Sequence, residues 1–267
     1  MANYTAQDVK KLREETDAPM MECKGALDEA DGDYEKAKNL LREKGKAAAA
    51  KRTDRSTAAG VVAIALSDDS KTAGAIVLES ETDFVARNVD FIAIAQQIAE
   101  IYRDNVTVDE AQIKEIVEGA VAKIRENIKV TRGVRVTSEN PISSYVHHDR
   151  TKGALVLCTG EFNDAVRKVA IQVVAFPPDV LKKEDLSQEK LNEEVEIETQ
   201  RAINEGKDEK LARNIAQGRV NKEFIKRAVL LEQPFYVDPS KSIAQFLAEE
   251  AKGTTLTSFE YLAVGQG

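Results

Sequence analysis

Few residues in this chain are of the types that do covalent chemistry. Its two histidines are adjacent, His147-His148, and Asp149 follows them. An imidazole pair beside a carboxylate has the makings of a metal site or an acid/base relay. Here the triplet falls where a strand enters a hairpin turn, and no Cys or His is spaced to converge on it. The two cysteines, Cys23 and Cys158, lie far apart in apolar segments. That placement suits buried free thiols in a reducing compartment, whereas a nucleophilic thiolate needs an electropositive, partly exposed setting. Neither G-x-x-x-x-G-K-S/T nor G-x-G-x-x-G occurs, so no nucleotide-cradling loop of its own is legible. The expectation is a protein that works by docking, with no catalytic residue, metal or cofactor.

One segment breaks local rules. In Glu79-Ser80-Glu81-Thr82-Asp83-Phe84-Val85-Ala86-Arg87-Asn88 a hairpin strand gives way to a helix, and a phenylalanine stands among acidic and polar residues. Two readings are open: Phe84 is an ordinary core anchor, or it is an exposed aromatic ready to enter a partner's groove.

The elements that must position these residues follow from periodicity. The 267 residues, 42% of them hydrophobic, suffice for a sizeable core in one to three domains. Lys+Arg 38 against Asp+Glu 46 gives a net charge of -8, which repels polyanions at long range and disfavours nucleic acid or an anionic membrane as the primary partner. The amino terminus resembles neither a secretory signal nor a transit peptide, and no apolar run approaches the roughly 18 residues of a membrane span, so a cytoplasmic protein is expected.

Residues 1–45 read as a small domain of three short helices, with Val9 and Leu12 on one face and Tyr34, Ala37, Leu40 and Leu41 on another. Asp17-Ala18-Pro19 opens the second helix, Asp31-Gly32-Asp33 introduces the third, and Gly45 is the expected stop. Residues 46–59, rich in Ala, Lys and Arg, read as a linker that could be helical in part. A core subdomain at 60–139 then begins with a hairpin, Val61 to Leu66 and Gly74 to Leu78. It continues with helices carrying Phe91, Ile94, Ala95, Ile98 and Tyr102, then Ile113 to Ile124, and ends in a strand from Val130 to Thr137.

The same order recurs in a second subdomain at 140–267. Thr72-Ala73-Gly74-Ala75-Ile76-Val77-Leu78 and Thr151-Lys152-Gly153-Ala154-Leu155-Val156-Leu157 are near copies. The helices at Ile94 to Ile98 and Val169 to Val173 also match, so two related α+β halves are expected. The second half carries a charged insertion at about 186–218 that suits a projecting helical hairpin. A helix near Val220 to Leu231, a helix at Ile243 to Ala251 and a strand around Leu256 to Val264 complete it.

Thr82-Asp83-Phe84-Val85-Ala86-Arg87 closely resembles the Thr-Asp-Phe-Val-Ala-Lys/Arg signature of the elongation factor Ts family. Further blocks are similar in the same order. They are Leu12 to Thr16, Met20-Met21-Glu22-Cys23-Lys24, Gly32-Asp33, Leu41 to Gly45, Tyr145-Val146-His147 and Leu230-Leu231-Glu232-Gln233-Pro234-Phe235. Three positions depart from the usual pattern: Pro19 stands where Gly is common, Arg87 where Lys is frequent, and Phe176-Pro177-Pro178 replaces an Asn-Pro turn.

The resemblance implies an α+β fold with a ubiquitin-associated-like three-helix amino-terminal domain and a duplicated core of antiparallel sheets with helices, carrying an inserted hairpin. It implies a guanine-nucleotide exchange factor whose partner is elongation factor Tu, GDP-bound and nucleotide-free, with no direct nucleic-acid or membrane contact. Thr82, Asp83, Phe84 and Val85 would enter the GTPase domain and dislodge its Mg²⁺, and Arg13, Met20 and Met21 would form the amino-terminal contact. The rival class is a non-catalytic adaptor or GTPase chaperone, which would not require an acidic loop carrying Phe84.

Overall fold

The computed structural model describes residues 3–16, 18–50, 52–160 and 162–266. Asp17 of the expected Asp-Ala-Pro turn and Lys51 of the expected linker lie outside the described residues.

Three helices open the chain: α1 (Ala6–Thr16), α2 (Met20–Glu29) and α3 (Tyr34–Ala50). Val9, Leu12, Cys23, Ala26, Leu27, Ala30, Ala37 and Leu41 are the buried residues of their shared core. So small a core makes the module only marginally stable alone. Asp31 and Gly32 take positive φ (52° and 86°) in the turn before α3, and Asp33 Oδ1 accepts from the Lys36 amide at 3.0 Å to cap it.

Gly45 does not stop α3, which runs on to Ala50. The glycine serves packing instead, because a Cβ there would stand 3.1 Å from Cβ of Ala122, so only a small residue lets the helices approach this closely. The Ala-rich continuation favours helix by intrinsic propensity. Residues 46–50 of the segment read as linker are therefore the last part of α3, and 52–58 are non-helical.

The core holds two sheets of one build. In the first, β1 (Ala59–Leu66) and β3 (Ile128–Thr137) flank β2 (Thr72–Ser80), all antiparallel. Between β2 and β3 come a single-turn helix α4 (Asp83–Ala86), α5 (Val89–Asp104) and α6 (Glu110–Ile124). In the second, β4 (Ser143–Val146) and β6 (Thr255–Ala263) flank β5 (Lys152–Thr159). Helix α7 (Asp164–Ala175) follows β5 as α5 follows β2.

Each sheet has two buried faces, which is why β2 and β5 read as nearly unbroken apolar runs. The inner faces meet, Val62, Ala73, Ala75 and Val77 of one sheet against Leu155, Leu157 and Leu262 of the other. The outer face of the first sheet, including Ile76 and Leu78, packs on Phe91, Ala95, Ile98 and Ala99 of α5. In the second, Ala154, Val156 and Cys158 pack on Val166, Val169, Ala170 and Val173 of α7. Each large side chain so buried is worth about 1.5–3 kcal/mol.

The near-copy heptads are out of phase with this architecture. They align at a spacing of 79, which pairs Ala75, on the inner face, with Ala154, on the outer. The structure aligns the halves at 80. The bulge lies between Val77 and Leu78 in one sheet and between Leu157 and Cys158 in the other. The positive-φ hairpin residues are Ser70 and Arg150, and Asp69 and Asp149 each accept the amide two residues on. A one-residue offset reverses every side chain in a strand, so the letter match and the spatial match are different relations.

The insertion is the expected hairpin, α8 (Gln188–Asn204) and α9 (Glu209–Arg219), turning through Gly206 at φ 86°. Ala202, Ala212 and Ala216 are buried, and Arg219 bridges Glu198 at 3.2 Å and Glu205 at 2.8 Å. The single helix expected from Val220 to Leu231 is instead a π-helical turn at Val220–Phe224, a short α10 (Ile225–Ala228) and a 3-10 turn at Leu230–Glu232. Val229 breaks the run because its backbone is extended and bridges Val180 in parallel. Helix α11 (Ile243–Glu250) begins at a Ser242 capping box and completes the second core with β6.

Candidate functional site

The segment between β2 and α5 is short, exposed and fully braced. Thr82 is extended (φ −124°, ψ 153°) and its Oγ1 accepts from the Val85 amide at 3.4 Å, starting α4. The turn closes through Arg87 N to Asp83 O (3.1 Å) and Asn88 N to Val85 O (2.9 Å). Asn88 Oδ1 then caps α5 by accepting from the Asp90 amide at 2.7 Å. Arg87 pairs with Asp83 at 3.0 Å across the turn. Two caps in seven residues account for the Thr and Asn that the sequence places there.

On this brace the Phe84 ring stands 83% exposed. Val85 and Ala86 turn the other way, into the core beneath α5. Asp83 and Phe84 face solvent, Thr82 is half-buried in hydrogen bonds and Val85 packs inward. Val89, at the first position of α5, is 77% exposed and adds a second apolar side chain beside this tip. It lies off the buried stripe of Phe91, Ala95 and Ile98, and that phase is the signal by which the sequence could have marked it.

The corner behind the tip is polar and anchored. Ser80, fully buried, donates from its hydroxyl to the Thr82 carbonyl at 3.0 Å. Glu81 accepts from the Asn127 amide at 2.7 Å and faces Arg55 at 3.4 Å. These contacts, the Asn127 N–H foremost, hold its carboxyl below the ordinary range. Glu126, in the turn between α6 and β3, accepts from the Thr82 amide at 3.0 Å and from its hydroxyl at 2.6 Å.

In the three-helix module, Arg13 is exposed on α1, and Met20 and Met21 are 42% and 75% exposed at the start of α2. Pro19 precedes them at φ −58°, an ordinary proline conformation at a helix N-cap. The module meets the core through α3 against α6, with ion pairs Arg42–Glu115 at 2.6 Å and Glu22–Arg125 at 2.7 Å. Glu22 follows Met21, and Arg125 precedes Glu126. The turn that holds Thr82 thus also holds the methionine end of α2.

The remaining candidates are engaged structurally. The His147 and His148 rings meet edge-on, Tyr145 contacts His147 at 3.2 Å, and Asp149 caps its turn through Thr151. Among the described residues no three His, Cys, Asp or Glu converge as metal ligands. Cys23 and Cys158 are buried free thiols, both pushed up in pKa by burial. No described helix is long and apolar enough to cross a membrane.

The family model described as Elongation factor TS matches residues 81–266, from the acidic corner through β6. The chain belongs to the elongation factor Ts family. Elongation factor Ts of Clostridioides difficile (strain 630) is 38% identical, covering 94% of this chain and 88% of the relative. Elongation factor Ts of Clostridium botulinum (strain Alaska E43 / Type E3) is 40% identical over 93% of this chain and 87% of its own. That of Azoarcus sp. (strain BH72) is 38% identical over 100% of this chain and 92% of its own. Elongation factor Ts relatives therefore share the three-helix module as well as both core halves with this chain.

Proposed function

We propose that this chain is a cytoplasmic guanine-nucleotide exchange factor that binds elongation factor Tu–GDP during translation elongation and drives GDP release without covalent chemistry of its own. The observation that carries the reading is the Phe84 ring, solvent-exposed on a doubly capped turn at the head of the family match. A bare aromatic on a rigid support gives up apolar surface to water and recovers it only in a partner's groove.

Inserted between helices of the GTPase domain, the ring displaces groups that hold Mg²⁺. That ion demands near-ideal octahedral geometry, so small displacements weaken its clamp on the diphosphate. Exchange factor and nucleotide then weaken each other's binding by the same factor, and incoming GTP expels the factor in turn. Asp83 and Phe84 form the inserted tip, and Arg13, Met20 and Met21 supply a second contact from the module.

The test is stopped-flow release of fluorescent GDP from elongation factor Tu. Phe84→Ala slows release while the variant keeps its far-ultraviolet spectrum and melting temperature. A folded variant with unchanged release would point to the adaptor class instead.

A further inference from the structure

We propose that Glu126 is a positioning residue that holds the Phe84 tip in its docking orientation. The inference rests on the exchange reading above and adds a residue that touches neither nucleotide nor the tip's exposed face. Helix α4 has a single turn, and an isolated turn does not persist, because nucleation fixes several dihedrals for one hydrogen bond. Its own cap is weak: the Val85 amide reaches Thr82 Oγ1 at only 3.4 Å. The firm contacts to the amide and hydroxyl of Thr82 itself come from 44 residues away, where both carboxylate oxygens of Glu126 are spent on them.

The hydroxyl proton of Thr82 goes to Glu126 Oε1, so an oxygen lone pair is left to face the Val85 amide. One carboxylate thus fixes both the backbone and the rotamer of the capping residue. The site is a built one, since Asn127 beside it is buried and reaches three backbone or side-chain acceptors. Its amide donates to Glu81, and its side chain donates to the carbonyls of Thr53 and Arg55 at 3.3 and 2.6 Å. The corner beneath the tip is therefore clamped by a turn that shares no sequence motif with it. Releasing the clamp lowers the fraction of molecules whose ring is poised, and apparent activity falls by that fraction.

The experiment is a double-mutant cycle in the full chain, read as elongation factor Tu–GDP release. Glu126→Ala slows release about tenfold, the scale of a lost hydrogen bond to a charged group. Glu126→Gln falls between, because its amide oxygen still accepts one of the two bonds. In a Phe84→Ala background, Glu126→Ala has no further effect, since its action passes through the ring. Amide exchange of residues 83–88 accelerates in Glu126→Ala while residues 91–104 keep their protection. Should Glu126→Ala not fold, Thr82→Val removes the hydroxyl side of the bond and takes its place in the cycle. Wild-type release by Glu126→Ala, full multiplication of the two effects in the double mutant, or unaltered exchange at 83–88 overturns the proposal. A wild-type rate for Phe84→Ala alone overturns the exchange reading instead, and the amide-exchange arm still decides the role of Glu126.

Discussion

Gly74 lies so close to the Ala99 carbonyl of α5 that a Cβ on it would stand 2.1 Å from that oxygen and 2.3 Å from the Arg103 nitrogen. Both are backbone atoms of a packed helix and cannot step aside. Its letter-for-letter counterpart, Gly153, faces the inner layer, where a Cβ would stand 2.8 Å from Val62 Cγ1, a side-chain atom that can yield. Gly74→Ala is therefore expected to destabilise by about 1–3 kcal/mol and Gly153→Ala by less than about 1 kcal/mol. Urea denaturation of the two variants checks the order, and equal losses would contradict the 80-residue structural alignment.

That pair also marks how far the sequence could be read. Helix and strand positions followed from periodicity because the buried stripes of α5, α6 and α7 repeat at helical spacing, and β2 and β5 are apolar from Ala73 to Leu78 and from Gly153 to Cys158. Which face of β5 each residue meets was not legible, since a strand buried on both sides carries no polar alternation to fix its phase. Gly45 and Val229 misled for a related reason: whether a glycine stops a helix or admits a neighbour depends on Ala122, and whether a valine continues one depends on Val180. The Thr82 to Val85 segment stood out by its chemistry, yet the exposure of Phe84 and the hold of Glu126 arise from residues distant in the chain.

Phe84 should matter little to stability. Its ring is mostly in water, so Phe84→Ala changes unfolding free energy by no more than about 0.5 kcal/mol. Phe91, seven residues on and fully buried beneath the sheet, behaves oppositely, with Phe91→Ala costing about 3–5 kcal/mol. Thermal and urea unfolding of the two variants makes the comparison. A large loss in Phe84→Ala would mean that the ring is packed, and would remove the basis for the docking role.

Glu81 gives the tip an acid sensitivity of known sign. Its folded pKa is depressed, chiefly by the Asn127 N–H, so the ionised form is favoured in the folded state. The contribution is complete above the ordinary glutamate value of about 4.3 and is lost as pH falls from there through the lowered folded value. The Asn127 amide proton reports this directly in an NMR titration, with a midpoint below about 4.3 that disappears in Glu81→Gln. A midpoint at or above the ordinary value would show that the carboxylate is not held as described.

Arg125 sets two small effects against each other. It ends α6 in the left-handed region at φ 70°, a conformation that costs a non-glycine residue about 1–2 kcal/mol. Its guanidinium pairs with Glu22 at 2.7 Å, but both side chains are about half exposed, and such pairs contribute about 0–1 kcal/mol. Arg125→Gly relieves the backbone and gives up the pair, so the melting temperature stays level or rises. Arg125→Ala keeps the strain and also gives up the pair, so it falls. The same two variants separate stability from assembly, because both remove the ion pair that ties the methionine end of α2 to the turn that holds Thr82. Both are therefore expected to weaken association with elongation factor Tu alike, although their melting temperatures move apart. Association that followed melting temperature across the pair would place the contribution of Arg125 in folding alone.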